Sequence, residues 1–486
     1  MSRLSPLFGA QSSRLSAGLA ATALALTALG ATAASAVPTS TAAATEAGPL
    51  MNYVVNTKAS PGHIRKVENA VKAAGGKVLV SYRQIGVVVA QSTNPDFKTA
   101  IKSGRDGREV QSVGATRTAP VTDGAPAASA TAAGVTSSDL ETATAPVPDP
   151  RESEQWDNAQ IKADQAHAIT DGSRRVLVGI NDSGVDDAHP DLAPNFDAAD
   201  SVNCTTNGVA NQTPGGWRPT TSDHGTHVAG TVAAARNGIG IVGVAPGVRI
   251  ASVKVVNDSG FIYPEYAICG FIWSAERHMD VTNHSYFIDP FEYWCKDGAD
   301  QGAVQEAVRR AVAYSTGQGV LAVAAAGNSR YDLANKTTDT GSPNDSTPVT
   351  RTIDNNCLNM PTELPHVITV AAFQKDGTRA DFSNFGLNKI DVTAPGRTIL
   401  STLPGGGYGT KSGTSMASPH VAGVAALMKS AHPWWGPLQM EAALRKQADD
   451  VACPAVADAR CTGTTANNAF FGEGLVDALD AVKRGW

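Results

Sequence analysis

The stretch Gly413-Thr414-Ser415-Met416-Ala417-Ser418-Pro419-His420-Val421-Ala422-Gly423 decides how the rest of the chain is read. A Gly-rich loop, Leu403–Gly409, runs into it, and an Ala-rich apolar run to Ala431 follows. This is the pattern of a turn that delivers a serine to the start of a buried helix. Pro419 is expected in the first helical turn, where a missing N–H is no loss. Ala417, Ala422, Gly423, Ala425 and Ala426 make a thin helix that other backbone can approach closely. A serine placed there faces unpaired N–H groups and the positive end of the helix dipole, which favour an oxyanion beside it. On this segment alone, Ser415 reads equally well as a plain helix cap.

Two further stretches decide between those readings. Val176-Leu177-Val178-Gly179-Ile180-Asn181-Asp182-Ser183-Gly184 is an apolar strand that ends in an acid and a turn. Asp223-His224-Gly225-Thr226-His227-Val228-Ala229-Gly230 is a second Gly-bounded entry into a small-residue helix. A serine nucleophile needs a base to take its proton and an acid to hold that base in one tautomer. Asp182, His224 and Ser415 offer these in the order acid, base, nucleophile. Together the three motifs resemble the subtilisin-like serine peptidases. The resemblance extends to Gln160-Ile161-Lys162-Ala163, His189-Pro190-Asp191-Leu192, Gly243-Val244-Ala245-Pro246, Ala325-Ala326-Gly327-Asn328 and Asp391-Val392-Thr393-Ala394-Pro395-Gly396, and covers about residues 151–486.

The resemblance implies roles. Ser415 is the nucleophile, His224 the general base, Asp182 its orienting acid, and Asn328 an oxyanion donor beside the Ser415 N–H. Ser285, Tyr286, Phe287, Ala326, Gly327, Thr362 and Thr414 line the substrate cleft, whose edges pair with an extended peptide. The family often has Ser-Leu-Gly where Ser285-Tyr286-Phe287 stands, so Phe287 is expected to narrow that side. Thr362 stands where a glycine often floors the first specificity pocket. An insertion follows Asn328, over about 329–357. A structural calcium ion is also implied. Asp191 lies nine residues after Asp182, and the loop 235–241 would add the Asn237 side chain and the carbonyls of Ala235, Ile239 and Ile241, with Glu152 completing the cage. Such an all-oxygen set suits Ca²⁺ rather than zinc. His227 reads as a core histidine, because no third ligand accompanies the pair His224/His227.

Working outward, the 486 residues exceed one ordinary domain. With 42% hydrophobic and 17% charged residues, a large core can form. The net charge of -6 argues against nucleic acid as a partner. Residues 1–36 read as a secretory signal: Arg3 and Arg14, an apolar run from Leu19 to Ala34, and the small-residue site Ala34-Ser35-Ala36. That run is shorter than the roughly 20 apolar residues of a span, so no membrane attachment is expected after cleavage.

Residues 37–117 are read as a propeptide. Within it, 50–117 shows strand, helix, strand, strand, helix, strand, an order that fits a small α+β ferredoxin-like unit. It is similar to the inhibitory prodomain of the family, so the chain's own prodomain is expected as an intramolecular inhibitor. It carries 11 Lys and Arg against 4 Asp and Glu, in an otherwise acidic chain. Residues 118–150 are Ala/Thr/Pro-rich without periodicity, a linker that contains or borders the processing site.

From 151 to 486, apolar strands alternate with helices, which predicts an α/β fold with a mostly parallel sheet and ligands beyond the strand C-termini. The six cysteines allow 15 pairings. Cys453 with Cys461, eight apart, is the first expectation. Cys295 with Cys357, in two insertions, is the second, and Cys204 with Cys269 remains. An even count suits an oxidising, extracellular compartment. The resulting expectation is a secreted, monomeric, self-processed serine endopeptidase acting on proteins or peptides, with no cofactor for catalysis. A dedicated processing peptidase and a non-catalytic secreted binding protein are the alternatives.

Overall fold

Leu177-Val178-Gly179-Ile180-Asn181-Asp182 is buried along its whole length, as a strand inside a parallel sheet covered on both faces must be. The computed structural model describes residues 47–122, 148–454, 456 and 458–483. The signal reading at 1–36 and most of the linker reading, 123–147, lie outside the described residues. Around Leu177–Asp182 a seven-stranded parallel sheet runs in the order Val392–Pro395, Val367–Phe373, Leu321–Ala325, Val281–His284, Leu177–Asp182, Arg249–Lys254, Val202–Asn203. The chain goes first to one side of Leu177–Asp182 and then to the other. The switch point, where such folds bind ligands, therefore lies beyond Asp182 and His284.

Alternation sorts each strand between two cores. Val178, Ile180, Ile250 and Val323 pack with the helices His224–Ala233 and Thr414–Ala431. Leu177, Ala251, Ala322 and Ala324 pack with Pro264–Glu276 and Ala299–Gly317. The thin helix does what its small residues promise. A Cβ on Gly423 would meet Val244 Cβ at 2.5 Å; on the other small-residue helix, His224–Ala233, a Cβ on Gly230 would meet Ser401 Oγ at 2.5 Å.

Two local expectations are corrected. Pro419 is not in the first turn, because the helix begins at Thr414 and places Pro419 inside it. The run Leu403–Gly409 is not simply a loop. It closes a hairpin of Ile399–Leu403 with Gly407–Lys411, turning on Gly405 and Gly406 at φ +80° and +79°. The 329–357 insertion is also ordered. Thr338–Asp339 pairs with Arg351–Thr352, and the buried Lys336 Nζ donates to Glu363 at 2.7 Å. All three expected disulfides are present: Cys204–Cys269, Cys295–Cys357 and Cys453–Cys461.

The N-terminal unit has four antiparallel strands in the order Gly76–Tyr82, Val87–Ser92, Met51–Asn56, Ser112–Ala115, the ferredoxin-like arrangement. Helix Pro61–Ala73, capped by Ser60, covers one face with Ile64, Val67 and Val71. The second expected helix is two single turns, Phe97–Ala100 and Gly104–Gly107, separated where Gly104 takes φ +73°. The other face of the sheet does not meet water. Val54, Tyr82, Ile85, Val87 and Val89 share a core with Ala307, Val308 and Ala311 of the Ala299–Gly317 helix.

Candidate active site

Asp182 is the last residue of its strand and His224 the first of its helix. Gly225 is what brings them together: a Cβ there would lie 2.4 Å from Gly184 O and 3.1 Å from the Asp182 side chain. His224 Nδ1 lies 2.8 and 3.0 Å from the two Asp182 carboxylate oxygens. Asp182, 2% exposed, also accepts from Ser183 N–H at 2.7 Å, which fixes its plane. Burial disfavours a charged imidazole, but facing Asp182 outweighs it and raises the His224 pKa above the ordinary value. With Nδ1 as the donor to Asp182, Nε2 is left as a base.

Ser415 stands in the first turn of the Thr414–Ala431 helix, before any intrahelical acceptor for its N–H exists. Its hydroxyl donates to Ser285 O at 3.2 Å, and among the described residues no hydrogen bond joins it to His224. Ser285 Oγ in turn donates to Ser415 O at 2.9 Å. Asn283 Nδ2 holds Ser285 Oγ at 2.9 Å, and Ser418 Oγ holds Asn283 Oδ1 at 2.7 Å. Ser415, the expected nucleophile, and the expected substrate edge are thus one hydrogen-bonded unit.

Asn328 Oδ1 accepts from Thr414 N–H at 2.8 Å and from Thr414 Oγ1 at 3.0 Å. These two donors fix the amide, and Nδ2 and the Ser415 N each lie 3.6 Å from a would-be Cβ on Gly413. Gly327 N–H is already committed to Thr414 Oγ1 at 3.1 Å, and Ala326 O to Asn384 Nδ2 at 2.9 Å. The φ of +100° at Gly327, with Asn384 Nδ2 2.4 Å from a would-be Cβ, leaves no room for a side chain. Thr362 is buried, and its Oγ1 donates to Ala325 O at 2.7 Å, tying together two segments expected to line the cleft.

Tyr286 turns its hydroxyl to His284 Nδ1 at 2.8 Å, while His284 Nε2 pairs with Thr282 Oγ1 at 2.9 Å. Burial drives the His284 pKa down to about 3, so this ring is a neutral anchor. Sequence reasoning missed His284; its i, i+2 spacing from Tyr286 on a strand was the available signal. Phe287 is half-buried beside them. His227 holds the 399–411 hairpin through Ile399 O at 3.0 Å and Gly409 O at 3.2 Å, as a core histidine does.

The expected calcium ligands lie together around the 235–241 loop but are partly committed. Asp191 is fully buried. Its Oδ2 accepts from Ile241 N–H at 3.1 Å and Tyr408 hydroxyl at 2.8 Å, while its Oδ1 has no partner. Asn237 Oδ1 accepts from Ile239 N–H at 3.2 Å. Glu152 accepts from the Arg236 guanidinium at 3.0 Å, and Arg236 also reaches His167 Nδ1 at 2.9 Å. Asp149, not foreseen, accepts from Gly238 N–H at 2.8 Å; burial raises its pKa, and the charge of Asp191 adds to this. Among the described residues no group of three acidic, His or Cys side chains forms a metal cluster.

Known proteins share this architecture. A model of the subtilase family matches residues 173–474. Subtilisin NAT of Bacillus subtilis subsp. natto is 34% identical over 327 residues, covering 67% of this chain and 70% of its own. The subtilisin of Bacillus pumilus is 36% identical over 327 residues, covering 67% of this chain and 97% of its own. Among solved structures, fervidolysin from Fervidobacterium pennivorans, a keratinolytic enzyme related to subtilisin, superposes with a TM-score of 0.64 at 26% identity. That match covers 90% of this chain and 61% of fervidolysin.

Proposed function

The chain belongs to the subtilase family and is a serine endopeptidase, and we propose that it is made as a secreted zymogen with Asp182, His224 and Ser415 as its catalytic triad. The observation that carries the triad is the His224 Nδ1 to Asp182 contact of 2.8 Å at the sheet's switch point, beside a serine at a helix start. In this reading the peptide lies along Ser285–Phe287 as an added strand. The Ser415 hydroxyl leaves Ser285 O and attacks the peptide carbonyl. His224 Nε2 takes the proton and gives it to the leaving amine, and Asp182 holds the imidazolium. The oxyanion is met by Ser415 N–H and Asn328 Nδ2. Losing such a donor costs ~2.7–4 kcal/mol, a magnitude measured on a subtilisin, a relative of this chain. Water then hydrolyses the acyl-enzyme by the same route, and no cofactor enters.

The zymogen part is supported by the ferredoxin-like unit packed on Ala299–Gly317, with processing at or within 118–150. Secretion is supported by three disulfides and by the signal-like 1–36. No helix among the described residues is long and apolar enough to cross a membrane. Calcium, if bound, would be structural: the bare Asp191 Oδ1 and the carbonyls of Ala235, Ile239 and Ile241 would hold it and offset a buried charge. Glu152 falls outside this reading because Arg236 already neutralises it. The test of function is active-site titration with a fluorophosphonate. Wild type should label once and cut casein, and Ser415→Ala should do neither nor mature. A Ser415→Ala protein that cuts casein at the wild-type rate overturns the triad.

A further inference from the structure

The first turn of the Pro264–Glu276 helix carries a carboxylate that solvent does not reach. Glu265 is 0% exposed. Its Oε1 accepts from Arg117 Nη2 at 2.6 Å and from Asn52 Nδ2 at 2.8 Å, and Oε2 has no hydrogen-bond partner. The Arg117 guanidinium lies 3.6 Å from the centre of the Tyr263 ring and donates to Tyr266 hydroxyl at 3.2 Å. An acid, a ring face and a phenolic oxygen thus surround one planar cation, the environment that suits arginine better than lysine.

Both hydrogen bonds to Glu265 come from the N-terminal unit. When that unit leaves, the peptidase domain keeps a carboxylate and two tyrosines shaped around a missing guanidinium. A carboxylate beside the Tyr263 ring face and the Tyr266 hydroxyl is a fitted site for another planar cation, so this box favours a new guanidinium. It also sits at the cleft. Ile262, next to Tyr263, is tied to Asp289 twice, through the Asp289 N–H donating to Ile262 O at 2.8 Å and the Ile262 N–H donating to the Asp289 side-chain carboxylate. Asp289 lies two residues beyond Phe287, and Tyr286 packs on the same apolar cluster as Tyr263, Tyr266 and Ile288.

We propose that Tyr263, Glu265 and Tyr266 form an arginine-binding subsite of the cleft, filled in cis by Arg117 and, after processing, by an arginine side chain of a peptide substrate. This rests on the endopeptidase and zymogen readings above. A peptide library that moves arginine, or its neutral isostere citrulline, through each position around one scissile bond tests it on the processed enzyme. At one position wild type should prefer arginine at least ten-fold in kcat/KM, and Glu265→Gln should reduce that ratio to within two-fold. An unchanged ratio, or cleavage of arginine-free peptides with no arginine preference anywhere, overturns the subsite while leaving the peptidase reading intact.

A second arm needs no activity. In the full chain held intact by Ser415→Ala, the added change Arg117→Ala should let acetyl-arginine amide bind at least ten-fold more tightly than to the chain that retains Arg117. Acetyl-citrulline amide should show no such gain. Equal binding of the two amides overturns the proposal. This arm stands alone if Glu265→Gln does not fold, or if no peptide is cut and the peptidase reading fails.

Discussion

Ser285 and Ser415 hold each other by a reciprocal pair of hydrogen bonds, each hydroxyl donating to the other's carbonyl, at 2.9 and 3.2 Å. The reason lies four residues on. Pro419 has no N–H, so Ser415 O lacks its usual helical donor, and Ser285 Oγ replaces it. A proline inside a helix thereby ties the proposed substrate edge to the proposed nucleophile. Ser285→Ala should lower unfolding free energy by about 1–3 kcal/mol, the cost of a carbonyl left without a donor. In a Pro419→Ala background, where the helix supplies its own N–H, the same change should cost much less. Urea unfolding of the four proteins checks this, and strictly additive effects would rule out the coupling.

The pH dependence follows from His224. In the proposed triad the reaction needs its neutral form, so kcat/KM should rise with pH through the histidine pKa. Burial opposes protonation, but the Asp182 carboxylate outweighs it, so the midpoint should lie above the ordinary value of about 6.5. Asp182→Asn removes that carboxylate. Its acid limb should move below the wild-type one while kcat drops about 10⁴-fold. A pH–rate profile in which the limb stays in place would detach Asp182 from His224.

What could be read from the sequence was what local spacing controls. Asp182 ends an apolar run, His224 and Ser415 open small-residue helices, and each motif carries its own glycines, so the order of the proposed triad was visible. The place of Pro419, beyond the first turn, was misread. A helix that opens at Thr414 or Ser415 already carries Pro419 beyond its first turn, while the start itself is held by Asn328 Oδ1 accepting the Thr414 N–H from 86 residues away. His284 was hidden because a buried histidine and an ordinary strand residue look alike until Tyr286 is seen to turn inward. Arg236 was visible as a charge, but its capture of Glu152 depends on how the 148–155 segment crosses the loop.

Calcium dependence turns on that capture. Asp191 keeps one buried oxygen without a donor, which favours an ion, while Arg236 withholds Glu152 from it. Added Ca²⁺ should raise the melting temperature of wild type modestly, and EDTA should reverse the gain. Arg236→Asn frees Glu152 and removes a nearby positive charge, so its gain on adding Ca²⁺ should exceed that of wild type. Equal melting temperatures with EDTA and with Ca²⁺ in both proteins would exclude the ion from this loop.

The proposed inhibition by the N-terminal unit divides into an electrostatic and an apolar part. The 50–117 segment carries 11 basic against 4 acidic residues, yet among the described residues its cross-contacts include only two salt bridges, Arg117–Glu265 and Lys98–Asp300. Most of its charge is therefore free to act at a distance, where it speeds encounter with an acidic partner and orients it. The bound state is held otherwise. Tyr82 and Ile85 enter the core around Ala299–Gly317, and Arg310 from that helix donates to Thr57 O at 2.6 Å. Salt should thus slow association and leave dissociation nearly unchanged, because the Debye length falls to a few ångströms at ~0.5 M. Ile85→Ala should do the reverse. Truncating a buried isoleucine costs about 2–5 kcal/mol, enough to speed dissociation at least ten-fold. The measurement is inhibition of the mature enzyme by added 47–117 segment, with on- and off-rates at low and high salt. An on-rate indifferent to salt would remove the electrostatic part, and an Ile85→Ala segment that dissociates like wild type would remove the apolar one.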